Sequence, residues 1–136
     1  MEETKTYTTN SHSKYKLLIH IVFVTKYRKQ ILEKLTDPIR NGVEQVCSER
    51  DCSLAAYEHD QDHIHMLIEY PPKHKISFLV KLLKQRTTYN CWQYDPHFMR
   101  TNYWSGKHIL WSDGYFACST GDASSETIRR YIENQG

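Results

Sequence analysis

The segment His63-Ile64-His65-Met66-Leu67-Ile68-Glu69-Tyr70, closed by Pro71-Pro72, constrains this chain more than any other. Its alternating, largely apolar residues favour a strand, and proline, with no amide hydrogen to give a ladder, ends it. A strand needs neighbours for its backbone groups. Three further runs can supply them, over residues 16–25, 52–58 and 115–120. Between the first two, Ile39, Val43, Val46 and Cys47 recur at helical spacing behind Asp37-Pro38, a capping carboxylate followed by proline at the first helical position. After Pro72, Ser77 can cap a helix whose Ile76, Leu79, Val80, Leu83 and Thr87 share one face. Gly121-Asp122 turns into a last helix over about residues 124–135. Residues 92–113 match no single element, and a loop of that length is usually functional or hides short elements. The order β-α-β-β-α-β predicts an α+β, ferredoxin-like fold: a four-stranded antiparallel sheet with helices on one face, plus a C-terminal helix.

At 136 residues there is room for one hydrophobic core. Residues 14–136 read as a single domain, and residues 1–13, rich in Thr, Ser and Lys, as a flexible arm. A net charge of +2 is too small to identify a partner, so any nucleic-acid surface must come from local clustering. The most apolar run, residues 17–24, is interrupted by His20 and falls far short of the ~20 residues of a membrane span. The four cysteines have no zinc-like spacing and are expected to be reduced and buried. A cytoplasmic protein with no membrane partner is the expectation.

Side chains alternate along a strand, so His63 and His65 project together while Ile64 and Met66 point to the core. Two imidazoles so placed can reach one divalent ion. Asp62, directly before them, can orient one ring from outside the coordination shell. A bare His-x-His serves equally as a pair of surface polar residues, and two ligands do not complete a site. On the last helix Tyr131 and Gln135 are four apart and share a face. The Gln135 carbonyl is a hard oxygen donor suited to Mg²⁺ or Mn²⁺, and Tyr131 beside it brings a phenol to the same place. Ile128, Tyr131, Ile132 and Gln135 also form the stripe of an ordinary amphipathic helix.

In these segments the chain resembles the single-tyrosine transposases of the smallest bacterial insertion sequences, members of the His-hydrophobic-His nuclease superfamily. The segments are His20-Ile21-Val22-Phe23, Lys26-Tyr27-Arg28, residues 62–67, Leu110-Trp111-Ser112, Tyr115-Phe116 and Tyr131-Ile132-Glu133-Asn134-Gln135. The resemblance implies that His63, His65 and Gln135 hold Mg²⁺ or Mn²⁺ and that Tyr131 is the nucleophile. It also implies a homodimer whose active sites can be completed in trans, bacterial or archaeal cytoplasm, and single-stranded DNA with hairpin ends as substrate. Cleavage and rejoining would pass through a 5′-phosphotyrosine. Imidazole pairs by themselves suit zinc equally well. Alternative functions are a domesticated tyrosine nickase acting on repeated palindromes and a DNA-binding module without catalysis.

The DNA surface is expected from Lys14, Lys26, Arg28 and Lys29 beside the first strand, Lys81, Lys84 and Arg86 on the second helix, and Trp104 with Lys107. Aromatic residues interleaved with bases suit stacking on unpaired nucleotides. Trp111 is the aromatic of the long loop expected in the core.

Overall fold

The computed structural model describes residues 16–119 and 125–135. The expected arm at residues 1–13, Lys14 and the turn at Gly121-Asp122 lie outside the described residues. The strands β1 (Leu17–Val24), β2 (Ser53–His59), β3 (His63–Tyr70) and β4 (Phe116–Ser119) form one sheet in the order β2-β3-β1-β4, every pair antiparallel. The helices are α1 (Thr36–Glu49), α2 (Ile76–Tyr94), α3 (Pro96–Asn102) and α4 (Ser125–Glu133). This is the ferredoxin-like arrangement.

β1 is central and is buried on both faces. Ile19, Ile21 and Phe23 join Ile64, Met66 and Ile68 of β3 in the main core, against Ile39, Val43 and Val46 of α1 and Val80 and Leu83 of α2. Each such side chain removed from water contributes roughly 1.5–3 kcal/mol. Val22 and Val24 point the other way and meet Ile132, with Phe116, Ile128 and Tyr131 around them. Thus α1 and α2 cover one face of the sheet, and α4 packs on the opposite face. The two layers of helix give the strands their different patterns: apolar on both sides in β1, alternating in β3.

Two helix starts differ from expectation. α1 begins at Thr36, continuing a 3₁₀ turn over Leu32–Leu35, and has no side-chain cap. Pro38 sits in the first turn, where its missing N–H would have had no helical partner anyway. α2 begins at Ile76 after the extended Lys75, so Ser77 is inside the helix rather than at its cap. The cap-and-proline signature does operate at Asp95-Pro96, where the Asp95 carboxylate accepts from Phe98 N at 3.1 Å and opens α3. That signal lay within the stretch that matched no element. α1 and α2 approach closely at Gly42, where a Cβ would stand 3.0 Å from Thr87 Cγ2.

The segment between α3 and β4 is pinned to the sheet. Ser112 N donates to Val24 O at 2.8 Å, Lys26 N donates to Leu110 O at 2.8 Å, and Trp111 Nε1 donates to Thr87 Oγ1 at 2.9 Å. Trp111 is buried, as expected. Cys47 and Cys91 are buried, whereas Cys52 and Cys118 are half-buried, and each keeps its thiol outside any disulfide. No helix among the described residues is long and apolar enough to cross a membrane.

Candidate active site

The face of the sheet opposite α1 and α2 carries the histidines. Antiparallel pairing sets His63 across from Val24, His65 across from Val22, and His20 across from Leu67. On the other side β2 brings Glu58 opposite His65. The apolar residues that alternate with the histidines, Ile64 and Met66, are fully buried and fix the strand.

Asp62 orders this corner. Its carboxylate is largely buried; Oδ1 lies 2.9 Å from His63 Nδ1, and Oδ2 accepts from Arg28 Nε at 3.3 Å. Its carbonyl accepts from Thr25 N at 2.9 Å. With Nδ1 engaged by a carboxylate, His63 keeps Nε2 as the nitrogen for a ligand, the usual carboxylate–histidine arrangement of metal sites. His65 Nε2 lies 2.8 Å from His20 Nδ1, so one imidazole donates to the other. Burial first, and then the neighbouring His20, hold His65 below its ordinary value of 6.5. Its neutral form, the form that binds metals, is therefore favoured.

These residues open on a cleft of about 910 Å³ lined by Arg28, Glu58, Asp62, His63 and His65 on the sheet side and by Ile128, Arg129, Ile132 and Glu133 of α4. Tyr131 and Gln135 do not line it. Tyr131 lies against Phe116, with ring centroids 5.7 Å apart, and its hydroxyl is buried with no hydrogen-bond partner among the described residues. Burial raises its pKa above 10.0. Gln135 Oε1 accepts from Ser112 Oγ at 3.5 Å. The single chain thus brings His63, His65 and Asp62 together, keeps Tyr131 and Gln135 together beside the loop before β4, and does not join the two sets. No group of three His, Cys, Asp or Glu poised to hold a metal occurs among the described residues. The donor set still suits a divalent ion: two adjacent imidazoles, one oriented by a carboxylate, in a cleft containing further carboxylates. It would supply part of a shell.

The expected basic surface divides in two. Lys84 Nζ donates to the carbonyls of Ser112, Asp113 and Gly114 at 2.8, 3.1 and 3.0 Å. Arg86 makes a two-pronged ion pair with Glu49 at 2.9 and 3.1 Å. Both are held by the protein itself. Lys81 is exposed on α2. Arg28 lines the histidine cleft. Lys26 lies 3.5 Å from Asp113, Lys29 lies over the ring of Trp104, and Lys107 is exposed. His20 and Glu58 were not among the expected site residues. The interruption of an apolar strand by His20 was the one sequence signal for it; Glu58 had none, because its neighbour across the ladder depends on register.

Comparison with known proteins bears on this geometry. The transposase for insertion sequence element IS200 of Salmonella typhimurium (strain LT2) is 29% identical over 129 residues, which are 92% of this chain and 80% of that protein. The crystal structure of a candidate transposase from Deinococcus radiodurans superposes with a TM-score of 0.82 at 28% identity, covering 93% of this chain and 96% of that one. A REP-associated tyrosine transposase bound to a REP hairpin shares the fold, with a TM-score of 0.57 at 14% identity over 92% of this chain and 69% of its own. Fold and likeness together define a transposase, an enzyme that acts on DNA. Residues 13–135 match the IS200-like transposases, and the chain belongs to that family.

Proposed function

We propose that the protein cleaves and rejoins single-stranded DNA at the ends of an insertion sequence, with Tyr131 as nucleophile and His63, His65 and Gln135 as ligands of Mg²⁺ or Mn²⁺. One observation carries this reading: α4, the helix that bears Tyr131, packs over the sheet face that presents His63 and His65. A bound divalent ion would polarise a phosphate oxygen and offset charge developing on it. The phenol oxygen of Tyr131 attacks phosphorus and loses its proton, while the bond to O3′ breaks and that oxygen leaves as a 3′-hydroxyl. The 5′-phosphate stays on the tyrosine. Attack by another 3′-hydroxyl reverses the step and joins strands without an energy cofactor. A 3′-hydroxyl leaving group and a phosphotyrosine balance the bonds broken and formed.

Within one chain Tyr131 and Gln135 do not line the histidine cleft. The reading therefore pairs the histidines of one protomer with the tyrosine helix of its partner in a homodimer. Subterminal hairpins would mark the ends of the substrate, by analogy with the hairpin-bound tyrosine transposase that shares the fold.

The test is a covalent adduct. Incubation with a hairpin-bearing single strand and Mn²⁺ gives a protein–DNA adduct that disappears in Tyr131→Phe and in His63→Ala. Mixed dimers of those two inactive variants regain adduct, on the His63→Ala chain alone. Adduct in Tyr131→Phe at the native level rules out the nucleophile, and mixed dimers that stay inactive rule out the shared site.

A further inference from the structure

We infer that a small cavity beside the histidine cleft, flanked by Tyr27 and Trp104, receives one unpaired nucleobase of the DNA strand. The inference rests on the reading of the protein as an enzyme of single-stranded DNA, and adds to it a site where the strand is held.

Tyr27 is 62% exposed and Trp104 75% exposed, although aromatic rings of this size ordinarily contribute to the core. Both line one cavity of about 310 Å³ together with Lys29 and Tyr103. That volume is at the lower end of the ~300–1,000 Å³ range of small-ligand pockets. It suits one planar ring better than a helix or strand of another protein. Each exposed ring carries an ammonium group: Lys26 Nζ lies 5.6 Å from the centroid of Tyr27, and Lys29 Nζ lies 5.2 Å from that of Trp104. Alternation of stacking surface and cation is what an unpaired nucleotide requires, a π-face for the base and a charge for the phosphate. A base entering against Trp104 displaces the Lys29 ammonium from the ring and frees it for the adjoining phosphate.

The walls are fixed. The buried Tyr103 donates its hydroxyl to Lys26 O at 3.0 Å, and Lys26 N is tied to Leu110 O. The backbone is strained at the same place: Tyr27 and Arg28 have φ of 63° and 51°, consecutive left-handed residues with side chains that disfavour that conformation. Strain of this kind persists where the surrounding structure imposes it, and clusters at ligand sites. Here it separates two neighbouring side chains: Tyr27 lines the cavity, while Arg28 lines the histidine cleft and pairs with Asp62. Their Cα atoms are about 3.8 Å apart. A strand with one base in the cavity would leave it beside the turn that carries Arg28 toward the cleft.

The experiment measures binding alone, by fluorescence anisotropy, with a short unstructured oligodeoxynucleotide and a duplex of the same sequence. Trp104→Ala and Tyr27→Ala should each weaken the single strand by about tenfold or more and leave the duplex unchanged. Trp104→Phe should retain most of the affinity. Replacing one nucleotide at a time by an abasic residue should reveal one position whose loss matters in the native protein and has no further effect in Trp104→Ala. Native affinity in both alanine variants, or equal loss for single strand and duplex, overturns the inference. Trp104 is exposed, so folding is not at stake, and circular dichroism verifies it for Tyr27→Ala. Because Tyr131 chemistry plays no part, loss of the adduct reading would leave this result standing. A normal adduct with unaltered strand binding would dismiss the cavity alone.

Discussion

Asp62 shows how much one side chain can organise. It is 8% exposed, yet it meets Arg28 through one carboxylate oxygen and His63 through the other. Asp62→Asn keeps the shape and removes the charge. If His63 is a ligand, the loss of that oriented partner should weaken Mn²⁺ binding by roughly 10–100-fold, as read by electron paramagnetic resonance titration. Unchanged Mn²⁺ affinity would reduce Asp62 to a link between Arg28 and the strand. The sequence shows Asp62 because it adjoins the histidines, so its proximity needs no knowledge of the fold. His20 is 45 residues from His65, and their 2.8 Å contact exists only through the β1–β3 register. Local patterns do not contain that register.

Helices raise the same difficulty at a larger size. The 3.6-residue period correctly separates the buried side of α2 from its polar side, but it cannot say what else folds over the polar side. Lys84 and Arg86 therefore read as a basic face. In the fold, Lys84 crosses to three successive carbonyls of the loop 112–114, the loop whose Ser112 meets Gln135. Hydrogen bonds to a charged donor contribute about 1.5–3 kcal/mol each at most, and three to one ammonium share that range rather than multiply it. Lys84→Met should lower stability by about 1.5–3 kcal/mol, seen as a lower urea midpoint with an unchanged slope. A native midpoint would mean that water serves the three carbonyls equally well. The segment 92–113 was illegible for a related reason. The helix it contains, α3, is seven residues, too short to show a period, and the stretch after it is held by contacts to β1 and α2.

For the whole molecule, the order of strands and helices was legible because β1 is a nearly continuous apolar run, β3 alternates, and the buried sides of α1 and α2 keep a helical period. The placement of α4 was not, since an amphipathic stripe does not name the surface it will cover. Burial of the core also sets the response to alkali. The thiols of Cys47 and Cys91 are pushed up to about 12, and that of Cys52 to about 11, by desolvation, from an ordinary value of 9.0. Tyr57 and Tyr103 are raised by burial in the same direction. Groups with a raised folded pKa bind protons more tightly in the native state. Their contribution is complete below the unfolded pKa near 9 and is lost as pH rises toward the folded values. Stability should therefore fall by about 2 kcal/mol or more between about pH 9 and pH 11, measured as a declining thermal midpoint. A flat midpoint over that range would show that the thiols and phenols ionise as freely in the native state as in the unfolded chain. Cys47 and Cys91 should also resist a thiol reagent at about pH 8 until the protein unfolds.

The left-handed pair Tyr27-Arg28 has a consequence for anyone engineering this protein. Each residue holds a conformation that costs a side-chain-bearing residue roughly 1–2 kcal/mol and glycine almost nothing. Selection for heat resistance alone would favour glycine at both positions. It would thereby delete a ring of the base cavity and the guanidinium beside Asp62, so the more robust protein would be the one with the poorer grip on its strand.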